Sequence, residues 1–271
     1  MKYALITTAV ILLSFAVSWL VSNRIEAMKR RPLWVRAVFT AVLALLLQGI
    51  TAAAYLSVYY KAEAGADAAL ADSEAVTVRS PDHMLFFDGP GTETALVFYP
   101  GAKVESKAYA PLMKRIAEAG TDCFLLDPPL HLSMLDASGI QRAYAAGNYK
   151  SWYAAGHSLG AVSTASYAAK HPEEITGVIL LGGYPTASLK DTRLLLIYGS
   201  EDGILDRNAY EKSRTLWPLD AEEQVIQGGN HAGFGCYGIQ NGDGTASISK
   251  DAQQEITAES IRSFVSKNSE K

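Results

Sequence analysis

Two cysteines in 271 residues, Cys123 and Cys236, are too few for a disulfide scaffold and too far apart for a cysteine-based zinc site. Cys123 falls early in an apolar run and Cys236 beyond a late loop. These positions belong at opposite ends of a sheet, so no bridge between them is expected. Histidine is nearly as scarce, with five in the chain, so each can be weighed singly. Glycine-rich phosphate loops and dinucleotide fingerprints are missing, and so are internal repeats and long low-complexity tracts. Charged residues make up only 19% of the chain, and its one basic run, within residues 23–36, is too short and too closely flanked by apolar segments to read as a nucleic-acid patch.

What the chain has instead is two long uncharged stretches near its start. Tyr3 to Ser22, "YALITTAVILLSFAVSWLVS", and Ala37 to Tyr60, "AVFTAVLALLLQGITAAAYLSVYY", each reach the roughly 20 apolar residues that cross a bilayer core as a helix. The first is longer than the hydrophobic part of a signal peptide and lacks a small-residue cleavage site after it. The pair therefore predicts a transmembrane hairpin over residues 1–60, with spans at about 3–22 and 37–57. The connector "NRIEAMKRRPLWVR" carries Arg24, Lys29, Arg30, Arg31 and Arg36 against Glu26. Short basic loops stay in the cytoplasm, which puts the N-terminus and everything after residue 60 outside. Trp19, Trp34, Tyr59 and Tyr60 sit where the interfaces are expected. Residues 61–74, "KAEAGADAALADSE", are small and acidic and read as a linker.

From residue 75 to 271 apolar runs alternate with helical patterns. "ALVFYPG", "TDCFLLD", "SWYAAGHS", "ITGVILLGGYP", "RLLLIYGSEDG" and "EEQVIQGGNH" read as strands. "KAYAPLMKRIAEAG", "LGAVSTASYAAKH", "RNAYEKSRTLW" and "DAQQEITAESIRSFVSK" read as helices. Such alternation predicts an α/β domain with a mostly parallel sheet covered on both faces, and chemistry at the carboxyl ends of the strands.

One strand ends in Gly156-His157-Ser158-Leu159-Gly160 and is followed at once by a helix. This is the context a G-x-S-x-G nucleophile elbow requires. A serine hydroxyl needs a base, and the base needs an orienting acid. His231, in the glycine-rich loop after "EEQVIQ", is the expected base. Asp202, just past "RLLLIYG", is the expected acid; Glu201 reads as a solvated turn residue, and Asp127 is the competing strand-end acid. The order Ser158, Asp202, His231 is the α/β-hydrolase order. Two backbone N–H groups, of Leu159 and Ala102, are the expected oxyanion donors. His157, Leu130, His131 and Phe234 are candidates for the pocket wall. Asp243, in "QNGDGTASIS", has too few carboxylates around it for calcium and reads as a Gly-Asp-Gly turn.

The motifs "YPGAKV", "GHSLG", "YGSEDG" and "GGNHAGFGCYGIQNGDG" resemble those of the dienelactone-hydrolase-like group of α/β-hydrolases, and more narrowly of membrane-anchored bacterial serine hydrolases. The resemblance covers about residues 76–267. It implies an α/β-hydrolase fold, with Ser158, Asp202 and His231 as the triad and Ala102 and Leu159 as oxyanion donors. Dienelactone hydrolases proper carry a nucleophilic cysteine where this chain has Ser158. The short stretch between "LLGGYP" and "RLLLIYG" leaves no room for a large cap. The expectation is a membrane-anchored hydrolase acting on a small ester or acyl substrate without metal or cofactor, with acyl transfer or peptide cleavage as alternatives on the same triad. A non-catalytic anchored binding domain is the further alternative.

Overall fold

Each uncharged run becomes one long helix. In the computed structural model, which describes residues 2–267, α1 spans Lys2–Arg24, the one-turn α2 Glu26–Lys29, and α3 Leu33–Ser57. At 1.5 Å per residue α1 and α3 are roughly 35 Å long, enough to cross a bilayer core. Their outward faces are apolar and exposed, with Leu12, Leu13, Leu45 and Leu46 among the bare side chains. The faces turned inward within this unit carry small residues: Ser14, Ser18 and Ser22, four apart, and Ala44. The hydroxyls of Ser14 and Ser18 donate to the carbonyls of Val10 and Ser14, so neither is left unsatisfied.

The chain divides between Val58 and Tyr59. The second unit corrects the reading of residues 61–74 as a linker. The short helix α4, Ala64–Ala68, and its flanks are docked on the domain: Ala66 is buried and Ala69 joins its core. Tyr60 pairs with the segment Lys103–Glu105 through two backbone hydrogen bonds, and the Glu63 N–H donates to the Cys236 carbonyl at 2.8 Å. Small side chains let this backbone lie close to the domain, where pairing rather than apolar bulk holds it.

Eight strands follow: β1 Thr77–Arg79, β2 Met84–Asp88, β3 Thr94–Tyr99, β4 Asp122–Leu126, β5 Ser151–His157, β6 Gly177–Leu181, β7 Arg193–Gly199 and β8 Glu222–Ile226. They form one sheet in the order β1-β2-β4-β3-β5-β6-β7-β8, parallel from β4 to β8 and antiparallel at β1 and β2. Successive residues face opposite sides. In β3, Leu96 and Phe98 enter one core, with α5 (Ala110–Glu118) and α9 (Lys250–Ser266). Ala95, Val97 and Tyr99 enter the other, with α6 (Ile140–Ala146), α7 (Leu159–Ala168) and α8 (Arg207–Ser213). Burial on both sides explains why these strands read as unbroken apolar runs. Each large side chain so buried contributes about 1.5–3 kcal/mol. The strand order reverses beside β3 and β5, which opens a crevice at their carboxyl ends.

Candidate active site

Ser158 occupies the tight turn between β5 and α7 with φ 55° and ψ −118°. A non-glycine residue in such a region costs of order 1–3 kcal/mol and persists only where its surroundings enforce it. The two flanking glycines do so. A Cβ on Gly156 would lie 2.4 Å from the Gly160 carbonyl oxygen, and one on Gly160 would lie 2.1 Å from that of Tyr99. Backbone therefore presses on backbone at both positions, and the Ser158 N–H is held by the Leu181 carbonyl at 2.9 Å.

His231, five residues beyond the end of β8, is 1% exposed. Its Nδ1 is 2.8 Å from Asp202 Oδ2. The other Asp202 oxygen accepts from the backbone N–H groups of Ile204 and Leu205 at 2.9 and 2.8 Å, so the carboxylate is fixed from both ends. With Nδ1–H donating to Asp202, Nε2 of His231 is an acceptor, and it has no hydrogen-bond partner among the described residues. Ser158 and His231 line the same cavity, of about 240 Å³, together with Gly182, Tyr184 and Ile204. Asp127, the competing acid, is exposed and accepts a 2.7 Å hydrogen bond from Ser106.

The four pocket-wall candidates do not line this cavity. His157 and Phe234 are buried behind His231: the His157 ring stands 4.4 Å from that of His231 and 5.4 Å from that of Phe234. His157 belongs to β5, whose alternation turns it inward beside the elbow. Its Nδ1 is 2.7 Å from the Tyr109 hydroxyl. Burial, and secondarily the neighbouring His231, hold His157 well below the usual histidine range, so it packs as a neutral ring. Leu130 is exposed, and His131 lines a separate cavity with His83, Lys107 and Asp127. Both follow Pro128 in a left-handed stretch that carries them away from Ser158.

Two supporting roles escaped the sequence reading. Tyr109 links the loop after β3 to the elbow: its hydroxyl accepts from the Gly101 N–H at 3.1 Å while bonding His157. Asp243 ties the Asp202 loop to the His231 loop. Its Oδ1 accepts from the N–H groups of Gly203, His231 and Gly244 at 3.1, 3.2 and 2.8 Å, and its Oδ2 from that of Ala232 at 2.8 Å. No spacing rule announces Asp243, because every group it binds is main chain.

A family model described as "Alpha/beta hydrolase family" matches residues 95–255. The chain belongs to that family and is a hydrolase by class. No curated protein sequence matches it. Among solved structures, a bacterial membrane phospholipase A is similar at 14% identity and TM-score 0.54, over 86% of this chain and 97% of that one. Est1E from Butyrivibrio proteoclasticus with bound ferulic acid is similar at 14% identity and TM-score 0.53, over 74% and 98%. A CIB-like hydrolase from Thermoplasma acidophilum is similar at 15% identity and TM-score 0.50, over 70% and 99%. These likenesses are of fold.

Proposed function

We propose that the protein is a membrane-anchored serine hydrolase that cleaves a carboxylic ester or related acyl bond. Ser158 is the nucleophile, His231 the base and Asp202 the orienting acid. The observation that carries this reading is the base itself: His231 is oriented by Asp202 at 2.8 Å, its Nε2 is unpartnered, and it shares a cavity with a strained serine. As Ser158 Oγ attacks the carbonyl carbon, its proton passes to Nε2, and the imidazolium is stabilised by the buried carboxylate. The developing oxyanion is met by the N–H groups of Leu159, at the start of α7, and Ala102. Tyr109 supports this assignment by engaging Gly101, which fixes the loop just before Ala102. His231 then returns the proton to the leaving oxygen. Water, deprotonated by the same base, hydrolyses the acyl-enzyme. The reading calls for no metal or cofactor.

α1 and α3 are the anchor, the basic connector lies in the cytoplasm, and the catalytic unit lies outside. A fluorophosphonate probe tests the chemistry. The wild-type protein should be labelled, and Ser158→Ala should abolish labelling while leaving the melting transition in place. A folded wild-type protein that takes up no probe refutes the reading.

A further inference from the structure

The chain enters the catalytic unit at a telling place. The apolar helix α3 ends at Ser57, and three residues later, at Tyr60, the backbone is already fastened to the edge of the catalytic unit formed by the loops at the carboxyl ends of the strands. The Tyr60 N–H donates to the Lys103 carbonyl at 2.7 Å, and the Tyr60 carbonyl accepts from the Glu105 N–H at 2.9 Å, in the loop that follows β3. The Tyr59 ring lies 4.2 Å from that of His131, and the Tyr60 ring 5.7 Å from that of Tyr237. Three residues of chain reach at most about 10 Å. A bilayer crossed by α3 therefore has its surface within reach of this edge.

The same edge leaves several apolar side chains of the catalytic unit bare. Leu130 is 55% exposed, Met134 59%, Leu135 54% and Ile239 94%. Leu130 is next to the His131 that carries Tyr59, and Ile239 lies two residues from Tyr237. Leu130 has φ 55° and ψ 22°, and His131 has φ 54°. An aliphatic residue held in the left-handed region and still exposed gains no burial in return for its strain. Met134 and Leu135 open a groove of about 620 Å³ along α7, and its walls Leu159 and Val162 also belong to the Ser158 cavity. The groove beside Met134 and Leu135 and the cavity of the nucleophile thus share two wall residues.

We propose that this edge rests in the interfacial layer of the bilayer crossed by α3. The substrate of Ser158 is then a membrane-dissolved amphiphile, an acyl ester that reaches the serine laterally past Met134 and Leu135. Tyr59 and Tyr60, amphipathic rings at the end of a span, suit that layer. The inference rests on the anchored-hydrolase reading above, and the experiment separates the two.

Full-length protein with Cys236→Ser is reconstituted in phosphatidylcholine vesicles containing headgroup-region spin-labelled lipid; Cys123 is fully buried and takes no label. An environment-sensitive fluorophore is placed at Leu130→Cys, at Ile239→Cys, at Leu219→Cys on the opposite edge before β8, and at Leu46→Cys within α3. Labels at Leu130 and Ile239 should be quenched at least about threefold more than the label at Leu219. Quenching at these two equal to that at Leu219 overturns the proposal. A label at Leu46 reports anchoring separately: Leu46 protected from the bilayer quencher, tested with lipid spin-labelled in its acyl chain, sinks the anchor and the proposal together. In the same vesicles Ile239→Asp should lower kcat/KM for a vesicle-dissolved long-chain ester about fivefold or more and leave a short water-soluble ester unchanged. Equal loss on both esters, or on neither, also overturns it. Turnover of the soluble ester reports the hydrolase reading independently.

Discussion

Asp243 shows how much a single carboxylate can organise. Four backbone N–H groups from two loops converge on it, one loop holding Asp202 and the other His231. Removing it leaves those donors to a half-buried environment where water replaces only some of the lost bonds. Asp243→Ala should therefore cost about 2 kcal/mol of stability by chemical denaturation. Because the Asp202–His231 pair loosens as a unit, kcat on a soluble ester should fall about 10- to 100-fold with KM little changed. Asp243→Asn keeps the oxygen that three donors share and should recover a large part of kcat. An Asp243→Ala enzyme within twofold of wild-type kcat rules the role out. At this scale the sequence speaks unevenly. Ser158, Asp202 and His231 are legible because elbow, strand ends and chain order constrain them together. Asp243 and Tyr109 are not, because they act on main-chain groups that any sequence supplies. His157 and Phe234 were misplaced on the pocket wall for a related reason: proximity along the chain to the nucleophile or the base does not tell which side of a loop faces the cavity.

Elements fix the elbow as firmly as any side chain. α7 starts directly under the end of β3, and Gly160 is the point of contact. A methyl there would stand 2.1 Å from the Tyr99 carbonyl oxygen and 2.5 Å from that of Pro100, both backbone atoms that cannot rotate away. Gly160→Ala must push α7 off β3 and carry the Ala102 and Leu159 N–H groups apart. Overpacking of this kind costs about 1–3 kcal/mol or more. The melting temperature should drop by several degrees and labelling by a fluorophosphonate should slow by about tenfold or more. Wild-type labelling rate together with wild-type stability in Gly160→Ala would show that the helix–strand contact is not what shapes the elbow. The strands and helices themselves were readable from periodicity, since burial on both faces writes each parallel strand as an apolar run. The segment 61–74 was not, because it is fastened by backbone pairing and small residues, which leave the same composition as a free linker.

For the whole molecule the decisive quantity is charge across the two spans. Among Arg24, Lys29, Arg30, Arg31 and Arg36 the connector has one acid, Glu26, whereas the stretch after α3 sets Glu63, Asp67, Asp72 and Glu74 against Lys61. Translocating the connector would carry five cations through a medium that penalises each by a few kcal/mol, whereas leaving it behind moves only the small-residue flanks and the folded unit. Both helices exceed the roughly 30 Å core, so neither needs a charged residue to complete its span. The arrangement we propose on this basis has two membrane crossings and Ser158 on the outer side. Protease added to intact cells should digest the catalytic unit and leave a protected hairpin fragment. Replacing Lys29, Arg30 and Arg31 by Asn should raise the fraction of molecules whose catalytic unit is protected. Complete protection of the wild-type unit, with digestion only after lysis, would reverse the orientation, and the substrate would then have to come from the cytoplasmic leaflet.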